Sequence, residues 1–137
     1  MKYLLDVNTL IALGIFHHAF HTRVMAWAVS LKNAPLLTCS ITELGFVRVA
    51  AQVPDYGFTV EQARMLLNSL KTKNSMPLAF LPDGIDISQL PAWVKTPRQT
   101  TDGHLLQLAS ANGALLATLD GRIPGAYLIP GRVVSEQ

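Results

Sequence analysis

Short apolar runs alternate with longer amphipathic stretches from one end of this chain to the other. Tyr3-Leu4-Leu5 reads as a buried strand, and Val7 to Phe16 as a helix with Leu10, Ile11 and Leu13 inward. A second helix is predicted over Ala19 to Leu31, because Val24, Trp27, Ala28 and Leu31 recur at i, i+3, i+4, i+7 spacing. Asn33-Ala34-Pro35 breaks it. Leu36 to Cys39 is a second strand, and Ser40-Ile41-Thr42-Glu43 has the S-x-x-E form of a capping box opening a helix to Gln52. After a loop at Pro54 to Gly57, Thr59-Val60-Glu61-Gln62 opens another helix, to Lys71. Leu78 to Leu81 is a third strand, stopped by Pro82-Asp83-Gly84. From Asp83 to Thr100 the pattern is weak, with Pro91 and Pro97 interrupting it. Thr100 or Thr101 is expected to cap a helix carrying Leu105, Leu106, Leu108 and Ala109, and Asn112-Gly113 stops it. Ala114 to Thr118 and Tyr127 to Ile129 are the fourth and fifth strands, and Pro130-Gly131 leads into a polar tail.

Strands alternating with helices predict an α/β fold, a mainly parallel sheet of four or five strands covered on both faces. At 137 residues, half of them hydrophobic, one domain spanning 1–137 is expected. Of nine acidic residues, four (Asp6, Glu43, Asp102 and Asp120) stand where a strand-like run gives way to a helix start. In a parallel sheet the carboxyl ends of the strands border one crevice, so carboxylates distant in sequence would meet there. Such a group repels itself unless it holds a cation, and oxygen ligands select hard ions such as Mg²⁺ or Mn²⁺. Net charge is +2, and neutralising those four acids would leave the remainder at +6, enough to attract a polyanion such as RNA. The single cysteine, Cys39, lies among apolar residues and reads as a reduced core thiol. No apolar stretch reaches the length of a membrane span, and a cytoplasmic protein is expected.

Each acid also has a structural role open to it. Asp6 could cap its helix, Glu43 could close its capping box, Asp102 suits the first turn by charge, and Asp120 could begin a turn with Gly121. Capping does not exclude ion binding, since a carboxylate can accept an N–H with one oxygen and bind a cation with the other.

The motifs together are more specific than any one acid. Asp6-Val7-Asn8-Thr9-Leu10-Ile11-Ala12-Leu13, Thr42-Glu43-Leu44-Gly45-Phe46-Val47-Arg48-Val49, Gln99-Thr100-Thr101-Asp102 with Leu105 to Ala109, and Leu116-Ala117-Thr118-Leu119-Asp120 follow one another in order. This series resembles the four motifs of PIN-domain ribonucleases, most closely the VapC toxins of bacterial toxin–antitoxin pairs. Phe80-Leu81-Pro82-Asp83 and the histidine-to-tryptophan run from His18 to Trp27 resemble one branch of that family. The likeness implies a PIN-like three-layer α/β/α sandwich. It places Asp6, Glu43, Asp102 and Asp120 as metal-binding acids and Asn8 and Thr118 as polar supports. After Asp102 the chain departs from the branch, with Gly103-His104 where an alanine and an aromatic residue are more common; His104 reads either as a substrate contact or as a solvated residue.

The implied reaction is Mg²⁺- or Mn²⁺-dependent hydrolysis of RNA, with Asp6 and Asp102 as first choices for direct ligands and Glu43 and Asp120 for a second ion or for orienting water. Arg48, Arg98 and Arg122 are candidates for the RNA backbone, Arg48 with a carboxylate pairing as its alternative, while Lys95 reads as a solvated charge. His17 and His21 have i, i+4 spacing, which can hold zinc, but with no carboxylate or cysteine near them His17, His18 and His21 read as structural or exposed. The likeness further implies a cognate antitoxin and a homodimer. The rivals are a haloacid-dehalogenase-like phosphatase, suggested by Asp6-Val7-Asn8-Thr9 but lacking its general acid at Asn8, and a non-catalytic PIN-like module that binds RNA or protein.

Overall fold

Strand β1 (Lys2–Leu5) is the middle of a five-stranded, wholly parallel sheet in the computed structural model, which describes residues 1–72, 76 and 78–131. The polar tail expected after Gly131 lies outside the described residues. The strands β2 (Leu36–Thr38), β3 (Leu78–Phe80), β4 (Ala114–Thr118) and β5 (Tyr127–Leu128) take the order β3-β2-β1-β4-β5. Tyr3 registers with Leu36 on one side, and Leu4 with Leu116 on the other. Growth runs one way through β2 and β3, then resumes on the far side of β1 with β4.

That reversal dictates the layers. Parallel crossovers are right-handed, so the helices made before the reversal share one face and the helix made after it takes the other. α1 (Val7–Gly14), α2 (His21–Ser30), α3 (Ser40–Gln52) and α4 (Val60–Thr72) supply Ile11, Trp27, Phe46 and Leu67 to one core cluster, whose strand members include Tyr3, Leu5 and Ala117. α5 (Thr100–Ala111) closes the opposite face, with Leu105 and Leu108 against Leu4, Leu37 and Leu116. Neighbouring strand residues divide between the clusters because successive side chains point to opposite faces.

Several local expectations shift. α1 stops at Gly14 rather than Phe16, and the exposed Phe16 lies beyond its extended cap Ile15. α2 begins at His21 rather than Ala19. The capping box of α3 is formed one residue earlier than S-x-x-E suggests: Cys39 N–H donates to Thr42 Oγ1 at 2.9 Å, and Ser40 is already helical. Closure by Thr42 leaves Glu43 out of the cap. At α4 the expected pair holds, with Thr59 N–H to Gln62 Oε1 at 2.9 Å and Gln62 N–H to Thr59 Oγ1 at 3.0 Å. Thr100 is inside α5 rather than its cap; the box belongs to a 3-10 turn just before it, Pro97–Gln99, where Gln99 Oε1 accepts from Lys95 N–H at 2.8 Å and Thr96 N–H at 3.1 Å. Cys39 is a buried free thiol. Among the described residues no helix is long and apolar enough to cross a membrane.

Candidate active site

Asp6 follows β1 and caps α1, so the sheet and the helix fix it from both sides. Its Oδ1 accepts Thr9 N–H at 2.9 Å, and its Oδ2 accepts the Thr118 hydroxyl at 2.6 Å; the residue is only 6 % exposed. Thr118 ends β4, the strand paired with β1, and its Oγ1 accepts Asp120 N–H at 3.0 Å. One hydroxyl therefore ties together the ends of two adjacent strands and the acids that follow them. This is the switch point of the sheet, where strand order reverses and an open α/β fold presents its crevice.

Asp102 reaches the same place from the first turn of α5. A cavity of about 360 Å³ is lined by Asp6, Asp102, Asp120, Asn8, Thr118 and Arg48, with Val7, Ile11, Val49, Thr101 and Leu105 as its remaining walls. Burial raises the Asp102 pKa most, followed by the charges of Asp6 and Asp120, with Arg122 opposing. No donor among the described residues hydrogen-bonds the Asp102 carboxylate. Asp120 is held differently. Arg122 donates through Nε to its Oδ1 at 2.9 Å and through Nη2 to its Oδ2 at 3.0 Å, and this bonding lowers the Asp120 pKa.

Glu43 does not line this cavity. It accepts the Thr38 hydroxyl at 2.5 Å, pairs with Lys71 Nζ at 2.8 Å, and borders a separate cavity with Ser40, Leu44, Arg64 and Phe80. Among the described residues no three of the His, Cys, Asp and Glu side chains close on one ion as they stand. The donor set nevertheless suits a hard cation: three carboxylates face one cavity, Asp102 has no hydrogen-bond donor among the described residues, and its pKa, raised first by burial, also registers repulsion from the other two. The Asp120–Arg122 pair that turns one acid aside is largely exposed, and exposed pairs contribute little free energy.

No family model matches the chain. It is 36 % identical to Ribonuclease VapC38 of Mycobacterium tuberculosis over 124 residues, covering 88 % of this chain and 86 % of that protein. It is 35 % identical to Ribonuclease VapC44 of the same organism over 139 residues, covering 96 % and 94 %. Ribonuclease VapC39 is 30 % identical over 127 residues, covering 90 % and 91 %. The chain belongs to the VapC ribonuclease family.

Within this VapC chain, the cleft has supports that the sequence motifs do not announce. His18 Nδ1 accepts Phe20 N–H at 3.0 Å, so that nitrogen is unprotonated. The proton of the neutral ring then sits on Nε2, which donates to Asn8 Oδ1 at 3.3 Å. A backbone donor thus sets the tautomer, the tautomer sets the Asn8 amide, and Asn8 is left with its NH₂ as the group free for the cleft. Burial, then His21 and His17, lowers the His18 pKa and favours this neutral ring. His21 meets Ala12 O at 2.7 Å and His17 meets Asp55 O at 3.2 Å, so the three histidines have three separate partners.

His104, open between substrate contact and solvated residue, pairs with Asp83 and ties α5 to the loop after β3. Gly103 beside it has a steric cause: a Cβ there would lie 2.3 Å from Val94 Cγ2. Arg48 lines the cleft and makes no ion pair among the described residues. Arg98 lines a neighbouring cavity with Trp93, and Arg122 borders both that cavity and Asp120. Trp93 carries no motif in the sequence, and His18, legible there only within the run from His18 to Trp27, gives no sign of its link to Asn8. The signal for Trp93 was an aromatic ring interleaved with Lys95 and Arg98 just before the third motif.

Proposed function

We propose that the protein is a Mg²⁺- or Mn²⁺-dependent ribonuclease that hydrolyses RNA phosphodiester bonds, the toxin of a type II toxin–antitoxin pair. The observation that carries this reading is the meeting of Asp6, Asp102 and Asp120 at one cavity on the β1–β4 rim, in a chain of the VapC family. Asp6 and Asp102 would hold the cation, with Asp120, here bonded to Arg122, as the third carboxylate available to it. Glu43 is kept as a fourth carboxylate on the strength of its motif, since Lys71 and Thr38 occupy it here. When bound, the cation polarises the scissile phosphate and makes the attacking water more acidic.

The chain's own groups do the remaining work. Thr9 N–H and the Thr118 hydroxyl aim the Asp6 carboxylate from behind, and charge-assisted hydrogen bonds of this kind are strong. The Asn8 amide, oriented by His18, offers N–H donors to a phosphate oxygen. Arg48, on the α3 side of the cavity, offsets phosphate charge. The haloacid-dehalogenase-like reading needs a general acid two residues after Asp6, and Asn8, an amide that cannot give up a proton, stands there. A homodimer, a cognate antitoxin that blocks the cleft, and a cytoplasmic setting go with the toxin reading.

The test is to sequence RNA 5′ ends after brief expression of the wild type beside Asp6→Asn. New, recurrent ends with the wild type alone support the reading. Identical end profiles for the two proteins overturn it.

A further inference from the structure

Asp102 and Asp120 face two spaces. On one side is the acid cleft; on the other is a cavity of about 410 Å³, walled by Trp93, Thr96, Arg98, Gln99, Arg122 and Ile123. This second wall is built to stay in place. Gln99 Oε1 gathers Lys95 N–H and Thr96 N–H, Thr100 Oγ1 donates to Pro97 O at 2.8 Å, and Val94 seats on the bare backbone of Gly103, next to Asp102. The segment carrying Trp93 and Arg98 is therefore locked to the helix that carries the acid.

The chemistry of the cavity is that of a nucleotide site. Trp27, the other tryptophan, is 1 % exposed and donates Nε1–H to Tyr127 Oη. Trp93 is half-buried against the α5 core, and its Nε1–H has no hydrogen-bond partner among the described residues. Arg98 is exposed and makes no ion pair among them. Arg122 is tied to Asp120, yet its side chain is 85 % exposed, so a phosphate can take it over at little cost. An indole beside two guanidinium groups suits a base and its phosphate, because every base has a face to stack and every linkage an anion. The volume falls in the usual range of small-ligand sites.

We propose that this cavity is a nucleotide subsite for single-stranded RNA. The base lies against Trp93 and Ile123, while Arg98 and Arg122 hold the phosphate adjoining the one placed among the acids. The subsite rests on the ribonuclease reading and deepens it. It grips the substrate on the α5 side of the cut, and its demand for an unstacked base disfavours duplex RNA.

The test is steady-state cleavage of a single-stranded oligoribonucleotide in Mg²⁺ by the wild type, Trp93→Ala, Trp93→Phe and Arg98→Ala. Binding of the same RNA to Asp6→Asn and Asp6→Asn/Trp93→Ala is followed in parallel by fluorescence anisotropy. Trp93→Ala raises KM about tenfold with kcat nearly kept, the scale of one lost base stack, and weakens anisotropy binding to match. Trp93→Phe restores both, which separates stacking from a loss of fold. Arg98→Ala weakens binding and lowers its salt dependence by about one charge. RNA also quenches tryptophan fluorescence in Asp6→Asn but not in Asp6→Asn/Trp93→Phe, where only Trp27 remains. If the wild type cuts RNA and Trp93→Ala matches it in KM and binding, the subsite is refuted while the cleft stands. If the wild type leaves RNA intact, the ribonuclease reading and the subsite fall together.

Discussion

Replacing Thr118 by valine removes one hydroxyl and almost no volume, and the structure says what that hydroxyl does. It donates to Asp6 Oδ2 at 2.6 Å in a buried setting and accepts Asp120 N–H at 3.0 Å. A hydrogen bond to a charged partner contributes about 1.5–3 kcal/mol, and stranding a buried acceptor incurs the desolvation penalty as well. The Asp120 N–H is less enclosed, so water can replace its acceptor. Thr118→Val should therefore cost about 2–3 kcal/mol, roughly 6–9 °C in Tm for a chain of this size. Thr118→Ser keeps the hydroxyl and loses one methyl, about 0.8 kcal/mol. Paired thermal and urea melts of the two variants make the comparison. In an Asp6→Asn background the valine change should cost only about 1 kcal/mol, because the acceptor is neutral. Equal melting of the valine and serine variants, or the same valine cost in both backgrounds, would refute the claim that Thr118 anchors the Asp6 carboxylate.

Asp102 is raised by burial and by Asp6 and Asp120. Its contribution to stability is thus greatest below the ordinary carboxylate pKa and is lost as pH rises through the raised value; Asp102→Asn should melt higher than the wild type at neutral pH in EDTA, and a lower Tm there would count against crowding of the acids. His18 is lowered by burial, then by His21 and His17. Stability linked to its neutral ring is present above about pH 6.5 and declines as pH falls toward the folded value, so His18→Gln should flatten that acid limb; a limb of unchanged slope would show that another group titrates. Gly103→Ala places a methyl where Val94 sits and should cost about 1–3 kcal/mol of overpacking, with Gly103→Ala/Val94→Ala recovering part of it. No recovery in urea melts would mean that the helix tolerates no side chain there for some other reason.

Much of this architecture is visible in the chain because local geometry transmits it. Apolar runs of three to five residues separated by helical periods force parallel crossovers, and the residue after each strand then stands on the rim. Asp6 and Asp120 were legible for that reason. Glu43 illustrates the limit. The difference between a box at Ser40–Glu43 and one at Cys39–Thr42 is a single residue of register, which the S-x-x-E pattern does not encode, and the shift hands Glu43 to Thr38 and Lys71. Lys71 lies on another helix, so its pairing is a product of how α3 packs on α4. The stretch from Asp83 to Thr100 lacked periodicity because it is organised by a 3-10 turn and by Val94 resting on Gly103, neither of which has an apolar repeat. Trp93 was therefore seen only in the folded chain. The His18–Asn8 link escaped for a similar reason: a hydrogen bond ten residues apart, around the end of α1, leaves no spacing signature.

The central claim is that Asp6, Asp102 and Asp120 share one divalent cation. Calorimetric titration of Mn²⁺ into the metal-stripped wild type, Asp6→Asn and Asp102→Asn tests it without reference to RNA. Saturable binding by the wild type, lost or severely weakened in both variants that still give folded melts, is the predicted result. Equal Mn²⁺ binding by all three proteins, or none by the wild type, would contradict it.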